Sequence, residues 1–576
     1  MGPPPLIPAP GRQSPQTAKE DEMGPGLDRR RLLGSALGAW GAALAPHLAW
    51  AQAAASPPIV TAVTGPYVEV ETALGRVRGG HSRGALAFKG IPYAGSPAGS
   101  GRFKIAPPAT PWTGVRDCLH PGPPAIQPAG GSYGELEPAF SEDCLVLNVW
   151  TPATGDGRKR PVMVYNHGGG FVGGSGAAVD ADGAHLARDF DVVVVATNHR
   201  LGYLGYLYLG ELGGDDYAAS GNVGLLDIVE ALRWVKANIE GFGGDPDNVL
   251  IWGESGGGMK TCGLCAMPQA AGLFHRVGIM SGPLVHATPK ADATLLARAV
   301  LAELGVAPTD LHRLQDVPAE AFNRALKVHV GPKGARYNVG RPGIGLGPVL
   351  DGAYVTQDPF APGPAPWLKD VPVVVGLNRD EARFFFWSDH DLAAFTLDEA
   401  GLEARIRREF GDAFADHALP VMRQDRPGAS PTDLYVAAVD AAWWLQSIAI
   451  AERKAAQGGA PAFMYRYDYA SNFPVGVGGQ VLGPGHATEK PAKFDNGDVG
   501  GLMGTRPDRV RMGHVMGELW ATFARRGVPG ATGQPAWPPY APDHRATMMI
   551  DLQCQVVDDP YPAERRALSQ LPPDEV

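Results

Sequence analysis

Short apolar runs, separated by polar and glycine-rich segments, recur along residues 160–380 of the chain. Each run is bounded by Gly, Asp or Asn, and the five clearest are Pro161–Asn166, Asp191–Thr197, Val249–Trp252, Val277–Met280 and Val371–Val375. Continuous apolar runs of this length are typical of parallel strands that are buried on both faces. Between them, apolar residues at three- and four-residue spacing predict an amphipathic helix over Leu225–Ile239.

This alternation of strands and helices predicts an α/β fold with a mostly parallel central sheet. Residues 290–345 and 388–460 lack the alternation, and we expect mainly helical insertions there. The predicted helix Arg509–Arg526 has an apolar face that fits the core or a second subunit, so an oligomer is possible but not indicated. Because no internal repeat or long linker interrupts residues 54–576, we predict one domain over that range.

The first 53 residues have the features of an export signal rather than of a folded domain. Arg29–Arg31 precede an apolar, small-residue run over residues 32–45, and A-x-A sites follow at residues 49–51 and 51–53. These features define a cleaved secretory signal, and the paired arginines favour the twin-arginine route. The apolar run is shorter than the roughly 20 residues of a membrane-spanning helix. We expect translation to start at Met1 or Met23, and a periplasmic or secreted mature protein without stable membrane insertion.

The amino-acid composition argues against several classes of protein function. The chain has 50 Lys+Arg against 60 Asp+Glu, a formal net charge of -10, and no basic stripe beyond Arg29–Arg31. A nucleic-acid partner is therefore disfavoured, because neutralising phosphates needs clustered basic residues. Five cysteines in 576 residues exclude a disulfide scaffold and a multi-cluster metal protein.

Three serines lie in the pattern G-x-S-x-G: Ser82, Ser132 and Ser255. A nucleophilic serine in this pattern sits on a sharp turn between a strand and a helix. Ser82 follows a glycine-rich stretch and has no helix after it, while Ser132 lies in irregular, proline-rich chain. Ser255 follows the apolar run VLIW and precedes a plausible helix over Met259–Met267. Ser255 is therefore the predicted nucleophile.

A glycine triplet follows the Pro161–Asn166 run in the sequence His167-Gly168-Gly169-Gly170-Phe171. Without Cβ atoms, the backbone amides of Gly169 and Gly170 can face a substrate, and the amide of Gly256 would join them in an oxyanion hole. A flexible turn is the plain alternative. A phosphate-binding loop is disfavoured, because no Lys or Ser/Thr completes a P-loop.

A nucleophilic serine needs a base and an acid that orients the base. Asp380 and Glu381 adjoin in the loop after the Val371–Val375 run, and spacing alone leaves both open as the acid. His486 lies in a Gly/Pro loop suited to placing an imidazole over the sheet edge, and it is the predicted base. The other histidines after the acid loop lie in helical patterns, at a strand start or too near that loop: His390, His417, His514 and His544.

Five segments, taken together and in order, resemble the type-B carboxylesterases. They are FKGIPYAGSPAGSGRF (88–103), SEDCLVLNVW (141–150), NHGGGFVGGSG (166–176), GNVGLLDIVEALRWVKANIEGFGGDP (221–246) and GESGGG (253–258). The resemblance covers roughly residues 57–560. It implies an α/β-hydrolase fold with helical insertions and a reaction that needs no cofactor or metal.

Residue by residue, the resemblance implies that Ser255 is the nucleophile and His486 the base. It implies Glu381 as the acid, because the family loop reads N-x-D-E. It assigns the oxyanion hole to Gly169, Gly170 and Gly256.

The chain departs from the family at several positions. Ala125 stands where members usually carry a Cys paired with the Cys of SEDCL, which leaves Cys144 without that partner. Cys118 is the nearest alternative, and export makes a Cys118–Cys144 disulfide a candidate. His199 stands where Tyr is usual. Cys262-x-x-Cys265 follows Ser255 and is expected to pack in the core, since no second ligand pair lies near it.

The expected function is an exported serine carboxylesterase that hydrolyses a small-molecule carboxylic ester through an acyl-enzyme. Two alternatives remain open: an amide, peptide or lipid-ester hydrolase with the same triad, and a catalytically inactive cholinesterase-like binding protein. Several aromatic residues could line a substrate pocket or simply belong to the core: Phe171, residues 384–387, Trp443 and Trp444.

Overall fold

The structure is a computed structural model, and it describes residues 62–128, 139–329 and 346–571. The described residues belong to one compact unit over Ile59–Val576. The predicted export signal and Ser132 lie outside the described residues. The prediction of one domain that starts at residue 54 therefore stays a prediction.

A 13-stranded sheet forms the centre of the described part of the chain. In chain order its strands are β1 (Thr64–Thr72), β2 (Gly75–Ser82), β3 (Ala85–Pro92), β4 (Val115–Asp117), β5 (Val146–Thr151), β6 (Arg160–Asn166), β7 (Val193–Thr197), β8 (Gly244–Glu254), β9 (Arg276–Met280), β12 (Val373–Asn378), β13 (Ala462–Tyr467), β16 (Ala546–Ile550) and β17 (Gln555–Asp558). Two short pairs lie apart from it: β10 (Thr288–Pro289) with β11 (Val349–Leu350), and β14 (Ser471–Pro474) with β15 (Val481–Gly483).

The spatial order of the sheet is β1-β2-β3-β5-β7-β6-β8-β9-β12-β13-β16-β17, with β4 beside β2. From β7 to β16 all neighbouring strands are parallel. At one edge β1, β2, β3, β5 and β7 pair antiparallel in that order, and at the other edge β17 pairs antiparallel with β16. The carboxyl ends of the parallel strands therefore meet at one edge, where ligands of open α/β sheets bind.

Helices cover both faces of the sheet. In chain order they are α1 (Ala184–Phe190), α2 (Gly202–Tyr206), α3 (Gly210–Gly213), α4 (Val223–Asn238), α5 (Gly256–Cys265), α6 (Lys290–Glu303), α7 (Ala319–His329), α8 (Ala382–Ser388), α9 (Glu399–Ala413), α10 (Leu419–Asp425), α11 (Pro431–Gln457), α12 (Lys490–Lys493), α13 (Arg509–Arg526) and α14 (Pro562–Leu568). Along β6, Val162 and Val164 join one buried cluster with α4, while Met163 and Tyr165 join another with α1 and α13. This alternation places apolar side chains on both faces of each strand.

The predicted α/β fold with a mostly parallel central sheet is confirmed. All five predicted strands are present with shifted ends, and the helix Arg509–Arg526 is present with its predicted bounds. In the described part of 290–345 and in 388–460 the chain is mainly helical, as expected. The antiparallel strands at both edges were not predicted, because glycines and charges break their apolar pattern.

One described helix, α11, is long and apolar enough to cross a membrane by length and composition alone. Two thirds of its most apolar part, 67%, is buried within the protein. A buried helix in a protein core passes the same length and composition test, so this finding is weak support for a membrane span. The expectation of a mature protein without stable membrane insertion stays a prediction.

The candidate disulfide Cys118–Cys144 is absent from the structure, where both residues are buried free thiols. The carbonyl of Cys118 accepts the Lys89 amide on β3, whereas Cys144 precedes Leu145, whose carbonyl accepts the amide of Tyr93. The two cysteines thus adjoin different residues of the chain around β3, and the expected disulfide is not formed in this structure.

Candidate active site

Ser255 stands at the turn between β8 and α5, at the carboxyl edge of the parallel strands. Its backbone has φ 60° and ψ -128°, a region that side chains with a Cβ rarely adopt. The turn is tight on both sides: a Cβ on Gly253 would lie 2.4 Å from the carbonyl group of Gly257, and one on Gly257 would lie 2.0 Å from the carbonyl oxygen of Asn166. A side chain at either position would therefore force the surrounding backbone of this strand-to-helix turn to shift.

His486 lies next to Ser255 although 231 positions separate them in the chain. Its Nε2 is 2.8 Å from Oγ of Ser255, and its Nδ1 is 2.5 Å from Oε2 of Glu381. The backbone amide of Asn378 donates to the other oxygen, Oε1 of Glu381, at 2.6 Å. Because a carboxylate accepts hydrogen bonds, Nδ1 of the neutral imidazole carries the proton and Nε2 accepts from the serine hydroxyl.

The two adjacent acids point in different directions. Glu381 is 1% exposed and contacts His486, whereas Asp380 pairs with Arg379 at 3.0 Å and lies 3.7 Å from Nε of Arg383. The structure therefore separates the two acids that the spacing left open. The remaining candidate histidines are exposed and lie elsewhere: His390, His417, His514 and His544. Ser82 ends β2, within an antiparallel pair with β3.

The His486 loop is attached to the acid loop by several hydrogen bonds. The amide of His486 donates to the carbonyl of Glu381 at 3.3 Å. The side-chain amide of Asn378 donates at 2.6 Å to the carbonyl of Gly485 and to Oε2 of the buried Glu489. These bonds hold the imidazole at a fixed position over the end of β12.

A second buried carboxylate faces His486 on the serine side. Oε1 of Glu254 lies 3.3 Å from Nε2 of His486, and neither oxygen of Glu254 has a hydrogen-bond partner among the described residues. Burial lowers the pKa of the imidazole and is the largest single influence. The charges of Glu381, Glu254 and Glu489 and the hydrogen bond to Glu381 outweigh it, so the pKa lies above its ordinary value of 6.5.

Sequence reasoning missed Glu254, Asn378 and Glu489. Glu254 lies inside the G-x-S-x-G pattern, so its position next to Ser255 was visible. Its proximity to the imidazole depends on a loop more than 200 residues away, and no local pattern reports that contact.

The glycine triplet forms a turn directly after β6, beside Ser255. Gly169 and Gly170 have φ 87° and φ 60°, which their lack of a Cβ permits. The turn touches the start of α5, because a Cβ on Gly256 would lie 2.1 Å from the carbonyl oxygen of Gly170. Within the described residues, no recorded hydrogen bond uses the amides of Gly169, Gly170 or Gly256. The turn that carries Gly169 and Gly170 therefore lies against the start of α5, which carries Gly256, and the oxyanion hole stays a prediction.

Aromatic rings surround the imidazole. The ring centroids of Phe385, Trp443 and Phe384 lie 4.8, 5.4 and 5.7 Å from that of His486. Trp443 and Phe384 are buried, and Phe385 is partly exposed. The sequence left open whether these aromatic residues line a pocket or belong to the core. In the structure, these three rings pack beside the imidazole.

Cys262 and Cys265 are buried free thiols on α5, in agreement with the expected core packing. Among the described residues, no group of three or more His, Cys, Asp or Glu side chains could hold a metal ion.

Comparison with known proteins identifies the family. The model of the carboxylesterase family matches residues 66–568. The para-nitrobenzyl esterase of Bacillus subtilis is 34% identical over 509 residues, which cover 87% of this chain and 98% of that protein. The chain belongs to the carboxylesterase family.

Further relatives support the assignment of this carboxylesterase. The phenmedipham hydrolase of Pseudarthrobacter oxydans is 33% identical over 500 residues, covering 83% of this chain and 94% of that protein. A solved carboxylesterase structure from Geobacillus stearothermophilus superposes with a TM-score of 0.74 at 36% identity, covering 87% of this chain and 99% of that one. The carboxylesterase has the α/β-hydrolase fold and is a carboxylic ester hydrolase.

Proposed function

We propose that this carboxylesterase hydrolyses small-molecule carboxylic esters through a Ser255–His486–Glu381 triad and an acyl-enzyme intermediate. The observation that carries the proposal is the continuous chain of contacts from Oγ of Ser255 through the imidazole to Glu381, at 2.8 and 2.5 Å. Nucleophile, base and orienting acid in this order are what acyl transfer by serine requires.

In the first half-reaction, Oγ of Ser255 attacks the ester carbonyl as its proton passes to Nε2 of His486. The amides of Gly169, Gly170 and Gly256 stabilise the oxyanion of the tetrahedral intermediate. The imidazolium, held by Glu381, gives its proton to the departing alcohol and leaves an acyl-serine.

In the second half-reaction, water attacks the acyl-serine and gives its proton to the same nitrogen. The second tetrahedral intermediate collapses to release the acid and regenerate Ser255. Every proton that leaves the nucleophile is returned, so the cycle needs no external acid or base.

The first test compares the wild type with Ser255→Ala on p-nitrophenyl acetate, butyrate and palmitate. Loss of the nucleophile is expected to lower kcat by roughly 10⁶-fold, as removal of a triad serine does elsewhere. An organophosphate probe located by peptide mass mapping should label Ser255. A preference for palmitate would favour lipid esters. A wild type with neither turnover nor label would contradict the proposal and favour a binding protein.

We also propose that the protein is exported through the twin-arginine route and acts in the periplasm or outside the cell. The support is the sequence pattern of Arg29–Arg31, the following apolar run and the A-x-A sites. Replacing the three arginines by lysine should retain the protein in the cytoplasm, as measured by cell fractionation. N-terminal sequencing of the exported form would locate the cleavage site. Unchanged export of the lysine variant would argue against this route.

A further inference from the structure

Lys260 is buried completely in the first turns of α5, five positions after Ser255. A buried ammonium or amine is costly unless its donors are satisfied. The Nζ of Lys260 donates to the backbone carbonyl of His167 at 2.9 Å. His167 is the first residue after β6 and leads into the Gly168–Gly170 turn. Among the described residues this is the one hydrogen bond of the side chain, and it ends at the start of the turn beside the reacting serine.

Lys260 also contacts the far end of the same turn. Its Nζ lies 5.9 Å from the ring centroid of Phe171, which directly follows Gly170. The three glycines between these contacts carry no side chains that could fix them. Backbone bonds from the amides of Val172 and Gly173 to the carbonyl of Gly169 shape the turn from within. Its placement against α5 depends on anchors at its two ends, and Lys260 reaches both.

The helix that carries Lys260 also begins with Gly256. The bond from Lys260 to the carbonyl of His167 therefore connects the glycine turn to α5. The amides of Gly169 and Gly170 are thus held against the same helix that supplies the Gly256 amide. The neighbouring bond from Asn166 to Oγ1 of Thr261, at 3.0 Å, joins the end of β6 to α5 independently of the lysine. Removing Lys260 should accordingly loosen the glycine turn without separating the strand from the helix.

Among the charged and titratable groups around Lys260, Glu254 is the main one that favours the charged form of the lysine. His167 and His199 stack on each other with centroids 4.5 Å apart. Burial, followed by the charge of Lys260, keeps the pKa of both imidazoles well below 6.5, so both rings are neutral. Burial lowers the pKa of Lys260 to about 7, against the opposing charge of Glu254. Ammonium and amine both carry N–H donors, so the bond to His167 persists in either state.

We propose that Lys260 is a positioning residue that holds the Gly168–Gly170 turn in register with the Gly256 amide, so that all three amides meet one oxyanion. This inference rests on the proposed function, because it concerns the oxyanion hole of that mechanism. Lys260 touches no reacting atom and acts through the peptide that follows His167.

The test replaces Lys260 by methionine, which keeps the length and the apolar stem but removes the donor. The probe is an alkyl trifluoromethyl ketone, whose adduct with a nucleophilic serine places an oxyanion in the hole. Direct loss of one oxyanion donor costs about 10²–10³ in kcat, so an indirect loss through K260M should cost roughly 10–100-fold. The KM for p-nitrophenyl butyrate should stay nearly unchanged, and the Ki of the ketone should rise by the same factor as kcat falls.

Lys454 provides a matched control. It is fully buried on α11, and its Nζ donates to the carbonyls of Leu368 and Lys369 at 2.8 Å, as Lys260 does to that of His167. Lys454→Met should lower the thermal stability but leave kcat and the Ki of the ketone unchanged. If K260M does not fold, Lys260→Gln keeps a polar head on a shorter stem and should show the same paired change.

The outcomes separate the two proposals. A folded K260M or K260Q with wild-type kcat and wild-type Ki would reduce Lys260 to a core residue and overturn the inference. A fall in kcat without a rise in Ki would overturn it too, because the loss would not involve the oxyanion. A wild type that neither turns over esters nor binds the ketone would instead refute the proposed function.

Discussion

Two buried glutamates approach His486 from opposite sides, one in the loop after β12 and one at the end of β8. Glu381 contacts Nδ1 and accepts two hydrogen bonds, from the imidazole and from the amide of Asn378. Glu254 lies 3.3 Å from Nε2, and no described residue donates a hydrogen bond to it. Both carboxylates are buried, but their contacts differ. Glu381 fixes the orientation of the ring through hydrogen bonds, whereas Glu254 acts on the ring only through its negative charge.

Among changes at the two glutamates and their surroundings, the largest expected effect comes from Glu381→Gln, which keeps the shape of the side chain. The amide of Asn378 requires an acceptor at one end, so the new amide nitrogen would face Nδ1 of His486. Nδ1 would then have to accept, and the proton would move to Nε2, where it blocks the base. By analogy with a triad Asp→Asn change, kcat should fall about 10⁴-fold, measured on p-nitrophenyl butyrate.

Asp380→Asn is the control for this change. Its carboxylate pairs with Arg379 and faces Arg383 rather than the imidazole. Activity within a few-fold of the wild type is expected. A fall in kcat as large as that of Glu381→Gln would contradict the geometry, in which Glu381 and not Asp380 orients the imidazole.

A smaller effect is expected from Asn378→Ala. This change removes the side-chain bonds to Gly485 and Glu489 but keeps the backbone bond to Glu381, so it tests the anchoring of the histidine loop alone. Loss of a buried hydrogen-bonding group typically costs about 1–3 kcal/mol of unfolding free energy, measurable by urea denaturation. A roughly tenfold lower kcat should accompany it, because misplacing a base raises the barrier.

Asn238→Ala offers a comparison away from the site. Asn238 is buried and bonds to the carbonyl of Trp234 and the amide of Ala73. It should lose similar stability and keep its kcat. Equal loss of activity in both variants would mean that general destabilisation, rather than loop anchoring, lowers the rate.

The smallest effect concerns pH. The base acts when unprotonated, and the neighbouring carboxylates raise the pKa of His486, so the acid limb of kcat/KM should have its midpoint above 6.5. Glu254→Gln removes one of these charges and should move the midpoint to lower pH by up to about one unit. Asp380→Asn should leave it in place. An unmoved midpoint in Glu254→Gln would show that the unbonded glutamate does not act on the imidazole.

Local patterns were sufficient where one segment contains the whole signal. The apolar runs predicted five of the seven parallel strands from β7 to β16, because strands buried on both faces need apolar side chains at successive positions. The parallel strands β13 and β16 were not predicted. Ser255 was separated from Ser82 by its flanking strand and helix. By contrast, β2 has the sequence GRVRGGHS. A search for apolar runs misses such a strand, because glycines and charged residues interrupt it.

The sequence by itself determined the strand-to-helix turn at Ser255, the glycine turn after β6 and the family to which the chain belongs. The tertiary structure placed Glu381 rather than Asp380 against the imidazole, in line with what the family resemblance implied. It alone brought Glu254 to the imidazole and Lys260 to the carbonyl of His167. The physical reason is distance along the chain. A turn depends on neighbouring residues, whereas a contact between segments 93 or more residues apart depends on how every intervening element packs.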